Sequence, residues 1–407
     1  MTIHARNPLV LPVYVPSLIL MFGNGMLIPI LPLYAKTFGV SYGLVGVVLA
    51  AEGVGRLIGA LPTGILIGKV GRKPAMILGV SSVAVSTLML FWARDIYEVM
   101  FYRLAAGFGG SLWNIACHAY LADATAVFHR GRALSIFGGI HRIGSFAGPA
   151  AGGALGTYYG LESPFLVFAG LASMVVIVAT ITFGTETSPA ATTVGAGHIK
   201  RLLRIFRSHF RELATAGSGQ LFAQTIRAGR PVVVPLYAAD VIGLDVQAIG
   251  WIITISALVD MSLFYPAGHI MDRFGRKFAM VPCFLTQAIA MAAIPLTHSF
   301  TELLLATALL GLGNGIGSGT MMTLGADLAP RDSMGEFLGA WRLVGDAGYV
   351  GAPLAVGGIA DLLGLSPATF AIAGFGLLAA GTFAFLVPET LTDDAPPDRP
   401  PRGGQHA

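Results

Sequence analysis

The chain has 407 residues, of which 55% are hydrophobic and only 11% are charged, and its mean hydropathy is +0.74. Because a soluble protein carries about 25% charged residues, this composition excludes an ordinary soluble domain and indicates a membrane protein with several spans. The formal net charge of +4 does not indicate a nucleic-acid partner, since the basic residues are sorted along the chain by position.

Twelve apolar segments of about 20 residues are long enough to cross a bilayer as helices, which satisfy their backbone polar groups internally. They run over residues 12–34, 41–65, 74–93, 97–122, 133–157, 162–183, 217–239, 246–268, 277–297, 301–324, 335–358 and 366–388. The sequence therefore predicts an all-α integral membrane protein. Its predicted parts are a six-helix bundle (1–183), a cytoplasmic linker (184–216), a second six-helix bundle (217–389) and a disordered cytoplasmic tail (390–407).

Lysine and arginine are distributed unevenly between the loops. Of the 25, 17 lie in the N-terminus, the even-numbered loops and the C-terminus, and only Lys36 and Arg94 lie in odd-numbered loops. The positive-inside rule then predicts that both termini are cytoplasmic, in a plasma membrane such as the bacterial inner membrane. The remaining six lie inside predicted helices: Arg56, Arg103, Arg142, Arg227, Arg230 and Arg342.

The first two predicted helices carry polar residues at membrane depth. Asn24 lies among glycines and prolines in helix 1, which is either a kinked packing helix or a helix that presents Asn24 to a cavity. Glu52 and Arg56 in helix 2 are spaced i,i+4 and share one face. Because charges at this depth face a cavity or one another, they form either a structural pair or a coupling site. Asp260, at the matching position of helix 8, offers Arg56 another partner across the interface.

A glycine-punctuated basic turn follows predicted helix 2 and recurs 204 residues later after helix 8. Asp123 and Asp327 are paired by the same offset, as are Pro149 and Pro353. Self-similarity at a fixed offset indicates a repeat, and two similar halves in a membrane suggest a transporter with its site between them. The turn residues are Gly64, Gly71 and Arg72 in the first copy and Gly268, Asp272, Arg273, Gly275 and Arg276 in the second.

The second turn, G-x-x-x-D-R-x-G-R-K, resembles the signature between helices 2 and 3 of the major facilitator superfamily. The first copy has Gly68 where the family has an acid that contributes to a latch on the cytoplasmic side. The resemblance covers the whole membrane region. It implies two six-helix bundles around a central cavity, alternating between inward-open and outward-open states, in a monomeric carrier of a small-molecule substrate and protons without a cofactor or nucleotide.

Predicted helix 4 carries a polar stripe on one face, made by Arg103, Gly107, Ser111, Asn114 and His118. The run from Arg103 resembles the R-x-x-x-G-x-G pattern of proton-coupled family members, in which the arginine has a part in proton transfer. An anion contact and a structural bond to a carbonyl are the alternatives for Arg103. His118 is either a packing residue or a proton carrier.

Predicted helix 5 contains the run G-x-x-x-G-P-x-x-G-G, formed by Gly144, Gly148, Pro149, Gly152 and Gly153. Small residues at every fourth position let another helix approach closely, and proline bends the helix. The run resembles the helix 5 signature of the drug:proton antiporter branch, which favours export. The alternative is a tight helix contact with no bearing on the direction of transport.

Predicted helix 7 places Gln224, Arg227 and Arg230 on one face, without an acid of its own. The deep acids available in the whole chain are Glu52, Asp260 and Asp346, so arginines are in excess. These arginines either bond to backbone carbonyls and nearby acids, or hold a carboxylate, sulfate or phosphate of a substrate. Further candidates for the cavity wall are Arg142, Asn314, Trp341 and Arg342.

The basic amphipathic stretch over residues 200–211 is expected to lie on an anionic leaflet rather than to bind a regulatory partner. Cys117 and Cys283 have no metal or disulfide spacing. The main hypothesis is therefore a proton-coupled exporter of small neutral or anionic organic compounds. Its candidate coupling residues are Glu52, Asp260, Asp346 and Arg103. The alternative is an organic-anion uptake system or exchanger that uses the deep arginines.

Overall fold

The computed structural model describes residues 9–125, 129–182 and 204–391, and these contain twelve long helical segments and no strand. The segments are α1 (Val10–Lys36), α2 (Tyr42–Val70), α3 (Arg72–Leu90), α4 (Ile96–Ala124), α5 (Arg130–Tyr159), α6 (Ser163–Thr182), α7 (Phe210–Tyr237), α8 (Val246–Phe274), α9 (Arg276–Leu296), α10 (Phe300–Leu328), α11 (Met334–Leu363) and α12 (Leu365–Leu386). The predicted all-α membrane fold is confirmed.

Nine of the described segments are long and apolar enough to cross a membrane by length and composition alone. The other three are α4, α5 and α7, whose polar faces carry Arg103, Arg142 and Arg227. These faces lower the mean hydropathy of a helix that is otherwise long enough to span. The weaker signal therefore marks the helices that contribute charged groups to the protein interior.

The two halves of the chain start their helices in the same way at an offset of 204 residues. Ser41 and Asp245 each accept a hydrogen bond from a backbone N–H in the first turn of α2 and α8, respectively. Asp95 and Ser299 cap α4 and α10 in the same way. Since a capping side chain satisfies N–H groups that the helix itself leaves free, the repeat extends to the residues that fix where each helix begins.

The signature turns depend on glycine, because Gly71 and Gly275 adopt φ values of 89° and 108°, where a side chain is disfavoured. The arginine after each glycine then pairs with an acid of the fourth helix in its half. Arg72 pairs with Asp123, and Arg276 pairs with Asp327 at 2.9 Å. The sequence pairing of Asp123 with Asp327 therefore reflects one ion pair that is built twice.

Two helices differ from the predicted continuous spans. The α8 segment is interrupted at Leu263, three residues after Asp260, and α10 is interrupted between Ile316 and Thr320. Three residues in the α10 break, Gly317, Ser318 and Gly319, leave polar groups outside the regular ladder of helix hydrogen bonds. The break thereby supplies hydrogen-bonding groups at membrane depth.

The linker and the tail also depart from expectation where they are described. Ile205 is buried against Phe337 and Ala340 of α11, so this apolar part of the linker packs on protein rather than on a leaflet. Thr390 donates a hydrogen bond to Asp327 at 2.7 Å, so the first residue of the predicted disordered tail is held in place. Residues 183–203 and 392–407, which include the rest of both predictions, lie outside the described residues.

Glu389 caps the start of α9, where its carboxylate accepts from the N–H groups of Arg276 at 2.9 Å and Lys277 at 3.0 Å. Burial raises the pKa of this carboxyl, but bonds from four backbone N–H groups outweigh it and hold the pKa below its ordinary value. A lowered pKa means that the cap stabilises the fold above the ordinary carboxyl pKa, and that this contribution is lost as the pH falls through the lowered value.

We expect Glu389→Ala to lower the free energy of unfolding at neutral pH by about 1 kcal/mol, the usual cost of losing an N-cap. Thermal unfolding of the purified protein, followed by intrinsic fluorescence, measures the difference. This difference should shrink when the measurement is repeated at a pH below the carboxyl's lowered pKa. At neutral pH the stability of Glu389→Gln should lie between that of the wild type and that of Glu389→Ala. A difference that is the same at both pH values would contradict the assignment of Glu389 as a charged cap.

Candidate functional site

The two halves, α1–α6 and α7–α12, meet along two seams, one between α5 and α8 and the other between α2 and α11. In the first seam a Cβ on Gly250 would lie 2.5 Å from the carbonyl oxygen of Pro149, and in the second Gly46 makes the same close approach to Pro353. These four positions are related by the 204-residue offset. Glycine lets the backbones touch there, so the repeated small residues hold the halves together.

The seams are closed at the membrane face opposite the signature turns; we call this the opposite face and the other the turn face. Lys36 and Tyr42 of the first half both bond to Asp240 of the second, the latter at 2.8 Å. Thr157 accepts a hydrogen bond from the Gln247 N–H at 3.0 Å. Among the described residues, no hydrogen bond or ion pair joins the halves nearer the turn face than the contacts of Arg142. The structure is therefore closed at the opposite face.

A cavity of about 300 Å³ lies between the halves, walled by α1, α2, α4, α5, α7 and α11. Most of its wall is apolar, from residues such as Leu27, Ile28, Leu49, Pro231 and Val232. Its polar groups are Asn24, Glu52, Arg56, Arg103, Ser145 and Tyr349. An apolar wall with a few polar groups is typical of a small-molecule site.

Glu52 is the centre of the polar part of the cavity. One carboxylate oxygen pairs with Arg103 of α4, and the other pairs with Arg56, one helical turn away, at 2.8 Å. Arg56 also lies over the ring of Tyr349 from α11, 5.3 Å from its centroid. The expected i,i+4 pair is therefore formed, but it is part of a three-residue group with a formal charge of +1.

Asp260 is the second half-buried acid at membrane depth, and its partners come from both halves. Arg142 of α5 approaches its carboxylate at 3.7 Å, and Asn314 of α10 donates to it at 2.8 Å. Arg142 also donates to Ser318, in the break of α10, at 2.7 Å. The suggested contact between Asp260 and Arg56 is not formed. Asp260 contacts Arg142 and Asn314 instead, and Arg56 pairs with Glu52 on its own helix.

Arg227 and Arg230 point into the second half rather than into the cavity, whose wall takes only Ala228, Pro231 and Val232 from α7. Arg227 donates to the carbonyl of Gly317 at 3.3 Å and lies over the ring of Phe284. Arg230 donates to the hydroxyl of Ser256 at 2.6 Å. These contacts fit the interpretation in which backbone and hydroxyl groups satisfy the two arginines, and neither side chain lines the described cavity.

The other candidates lie outside the described cavity wall. Trp341 is buried and donates to the carbonyl of Met321 at 3.1 Å, and Arg342 pairs with Asp346 at 3.9 Å. His118 stacks edge-on against Phe137. Asn114 and Gln224 are half-buried on the predicted faces of α4 and α7.

The glycines of the helix 5 signature make two kinds of contact. Gly144, Gly148 and Gly152 contact the backbone of α1 inside the first half, whereas Gly153 contacts Val246 of α8 across the seam. Packing is thus the observed role of the first three. Only the last glycine of the motif contacts the other half.

The acid of the second signature turn makes no contact between the halves. The side chain of Asp272 is 74% exposed, and its nearest basic partner is Arg276 at 3.9 Å on the same helix-turn element. Arg273 lies over the ring of Phe274. The latch that the family resemblance implies is therefore open in this conformation, which agrees with closure at the opposite face.

Ser318, Ser256 and Tyr349 belong to the site but were not predicted. Ser318 lies in the run Gly313-Asn-Gly-Ile-Gly-Ser-Gly319, whose glycine content is a signal for a broken helix that was interpreted as a continuous span. Ser256 occupies the position matching Glu52, so the repeat offset alone points to it. Tyr349 carries no sequence signal, because an aromatic residue in a membrane helix is usually packing.

The sequence profile of the Major Facilitator Superfamily matches residues 14–226 and 216–406. Multidrug resistance protein 2 of Bacillus subtilis is 24% identical over 299 residues, covering 70% of this chain and 72% of that protein. Multidrug resistance protein MdtH of Klebsiella pneumoniae is 26% identical and covers 74% of each. A bacterial homologue of the lysosomal transporter Spinster, in an inward-facing and occupied conformation, has the same fold, with a TM-score of 0.75, 14% identity and coverage of 94% and 97%.

The division of the helix 5 glycines predicts different consequences for neighbouring substitutions. A methyl group on Gly152 meets the backbone of Met26 within the first half, so Gly152→Ala should lower the free energy of unfolding by about 1–3 kcal/mol. Gly153→Ala should instead separate α5 from α8 and open the opposite face. Thermal unfolding measures the first effect, and labelling of Leu31→Cys by an impermeant maleimide added at the opposite face measures the second.

Gly170→Ala is the matched control, because no atom lies within 4 Å of a Cβ at that position. It should leave both readouts unchanged. If Gly153→Ala lowered stability as much as Gly152→Ala without increasing the labelling of Leu31→Cys, the assignment of Gly153 to the contact between the halves would be wrong.

Proposed function

This chain belongs to the major facilitator superfamily and is a membrane transporter rather than an enzyme, and we propose that it exports small organic compounds in exchange for protons. The observation that supports this proposal most directly is the ion pair of Arg142 and Asp260, which joins the two halves at membrane depth beside a substrate-sized cavity. The relatives named as multidrug resistance proteins support the direction of export.

We assign the coupling proton to Asp260. Glu52 has both of its arginine partners inside the first half, so a proton on Glu52 leaves the contact between the halves in place. A proton on Asp260 removes the charge that Arg142 faces across the α5–α8 seam. Protonation can drive a conformational change only if the proton binds the two conformations with different affinity, and a carboxylate whose arginine partner belongs to the other half meets that requirement.

The substrate is a small neutral or anionic amphiphile. The cavity wall is mostly apolar, and Glu52 with its two arginines leaves one uncompensated positive charge. That charge repels a lipophilic cation and favours a carboxylate or another hydrogen-bond acceptor near Arg56, whose side chain is 43% exposed.

The turn face is assigned to the cytoplasm, because the basic loops lie there and the positive-inside rule holds for short loops. Both termini are then cytoplasmic in the plasma membrane, and the conformation is inward-open. An exporter loads its substrate in this state. The same assignment makes the closed opposite face the extracellular one.

A second candidate function is uptake or exchange of organic anions, which Arg56 and Arg103 in the cavity wall support. Arg227 and Arg230 lend it less support, because they bond to Gly317 and Ser256 within the second half. Under this function, transport persists without a proton gradient.

Substrate-driven proton release in everted vesicles with an acid interior tests the main proposal. Cationic, neutral and anionic compounds are added singly, and a pH dye reports proton movement. Release on adding a neutral or anionic compound, absent from vesicles without the protein, is the expected result. Exchange of a labelled anion without proton movement would replace the proposal with the anion exchanger.

Asp260→Asn should abolish substrate-driven proton release, because an amide carries no titrating charge, while binding of substrate to the purified protein persists. Asp240→Asn is the matched control: it also removes an acid that pairs across the halves, but at the exposed opposite face. It should retain proton release. Full proton release by Asp260→Asn would remove Asp260 from the mechanism.

A further inference from the structure

The α5 helix continues through Pro149, and a side chain from the other half bonds to the helical turn around this proline. Proline has no N–H, and its ring displaces the neighbouring helix hydrogen bonds. In a regular helix the N–H of Ala150 would bond to the carbonyl of Phe146. Here the Thr254 hydroxyl of α8 accepts from the Ala150 N–H at 3.0 Å and donates to the Phe146 carbonyl at 3.2 Å. One hydroxyl from across the seam thus bonds to both of these backbone groups.

The α2–α11 seam provides an internal comparison. It repeats the first seam at the offset of 204 residues, with Pro353 for Pro149 and Gly46 for Gly250, and with the same backbone contacts. The position that matches Thr254 is Ala50, which has no hydroxyl. The turn around Pro353 in α11 therefore has no corresponding hydroxyl bridge from this position of α2.

Two further observations distinguish the α5–α8 seam from the α2–α11 seam. Arg142 and Asp260 pair across the α5–α8 seam at 3.7 Å. Their counterparts by offset, Asp346 and Arg56, pair with residues of their own helices instead, at 3.9 Å and 2.8 Å. The cavity also takes its wall from α2 and α11 but has no lining residue from α8. The α2–α11 seam keeps a hydrogen bond from the Gly43 N–H to Asp361 at 2.9 Å, matched in the other seam by Gln247 and Thr157, and the contact of Arg56 with the Tyr349 ring. It lacks the hydroxyl bridge and the ion pair that join α5 to α8.

We infer that Thr254 is a positioning residue that keeps the α5–α8 seam joined, so that the opposite face opens by separation of α2 from α11. Withdrawing the hydroxyl would leave an N–H and a carbonyl unpaired in an apolar contact, which is costly. The α2–α11 seam separates without this cost. The substrate therefore leaves the cavity past Leu49 and Pro353 rather than past α8. This inference rests on alternating access in the proposed function but not on proton coupling, so a failed vesicle assay leaves it standing.

Two spin-label pairs at matching positions test the inference. Tyr158 and Trp251 lie across the α5–α8 seam, and Leu362 and Val47 are their counterparts across the α2–α11 seam; all four side chains are exposed. Each pair is changed to cysteine in a background with Cys117→Ala and Cys283→Ala, and distances are measured in lipid nanodiscs. The Leu362–Val47 pair should show a second, longer distance while the Tyr158–Trp251 pair keeps one. Equal separation of both pairs would overturn the inference.

Thr254→Val keeps the shape of the side chain and removes the hydroxyl. It should give the Tyr158–Trp251 pair a longer distance and raise its open population about tenfold, the equivalent of one lost hydrogen bond. Amide exchange at Ala150, resolved by fragmentation mass spectrometry, should quicken by a similar factor. Thr254→Ser retains the hydroxyl and should behave like the wild type. If Thr254→Val left both readouts unchanged, the bridge would have no part in holding the seam.

Pro149→Ala separates the bridge from general packing. Without proline, α5 can form its own bond between Ala150 and Phe146, so Thr254→Val should then have little further effect on distance or exchange. Equal effects of Thr254→Val in both backgrounds would show that the side chain acts only by packing and would overturn the assignment. The double-mutant comparison does not depend on knowing the substrate.

Discussion

Charges at membrane depth must find partners inside the protein, because hydrocarbon offers neither water nor counter-ions. The arrangement of the site follows from this requirement. Glu52 pairs with two arginines, Asp260 contacts an arginine and accepts a hydrogen bond from an amide, and Arg230 donates to a hydroxyl. Arg227 needs a free carbonyl, which a regular helix does not provide. The break in α10 supplies it at Gly317.

The repeat fixes the backbone, while the side chains at matching positions have diverged. Helix caps, glycine turns and the ion pairs of the turns are built twice at one offset. At the centre the matching residues differ, since Glu52 corresponds to Ser256 and Arg56 to Asp260. A symmetric frame thus carries an asymmetric set of charges. That asymmetry allows a proton and a substrate to occupy different places in one molecule.

Much of the fold could be predicted from the sequence because length, hydropathy and internal repetition are properties of the chain alone. The all-α class, the repeat and the Glu52–Arg56 pair came from spacing. The partners of Arg103, Arg227 and Arg230 did not, because periodicity identifies the face of a helix but not the helix that this face meets. The glycine run before Thr320 was interpreted as a continuous span, since glycine is compatible with both a helix and a break. Contacts between the halves, such as those of Arg142 and Thr254, depend on the conformational state and have no local sequence signal.

The Arg142–Asp260 ion pair and the Thr254 hydroxyl bridge both join α5 to α8, so their effects on this seam cannot be independent. Arg142 and Pro149 lie two turns apart on α5, and Asp260 and Thr254 lie within two turns on α8. If the ion pair with Asp260 is lost, the seam still holds through the hydroxyl of Thr254; if both are lost, the contacts of glycine backbones and the hydrogen bond between Gln247 and Thr157 remain. Residues that share an interface show non-additive energies. Loss of the ion pair and loss of the hydroxyl bridge are therefore expected to have coupled effects on the seam.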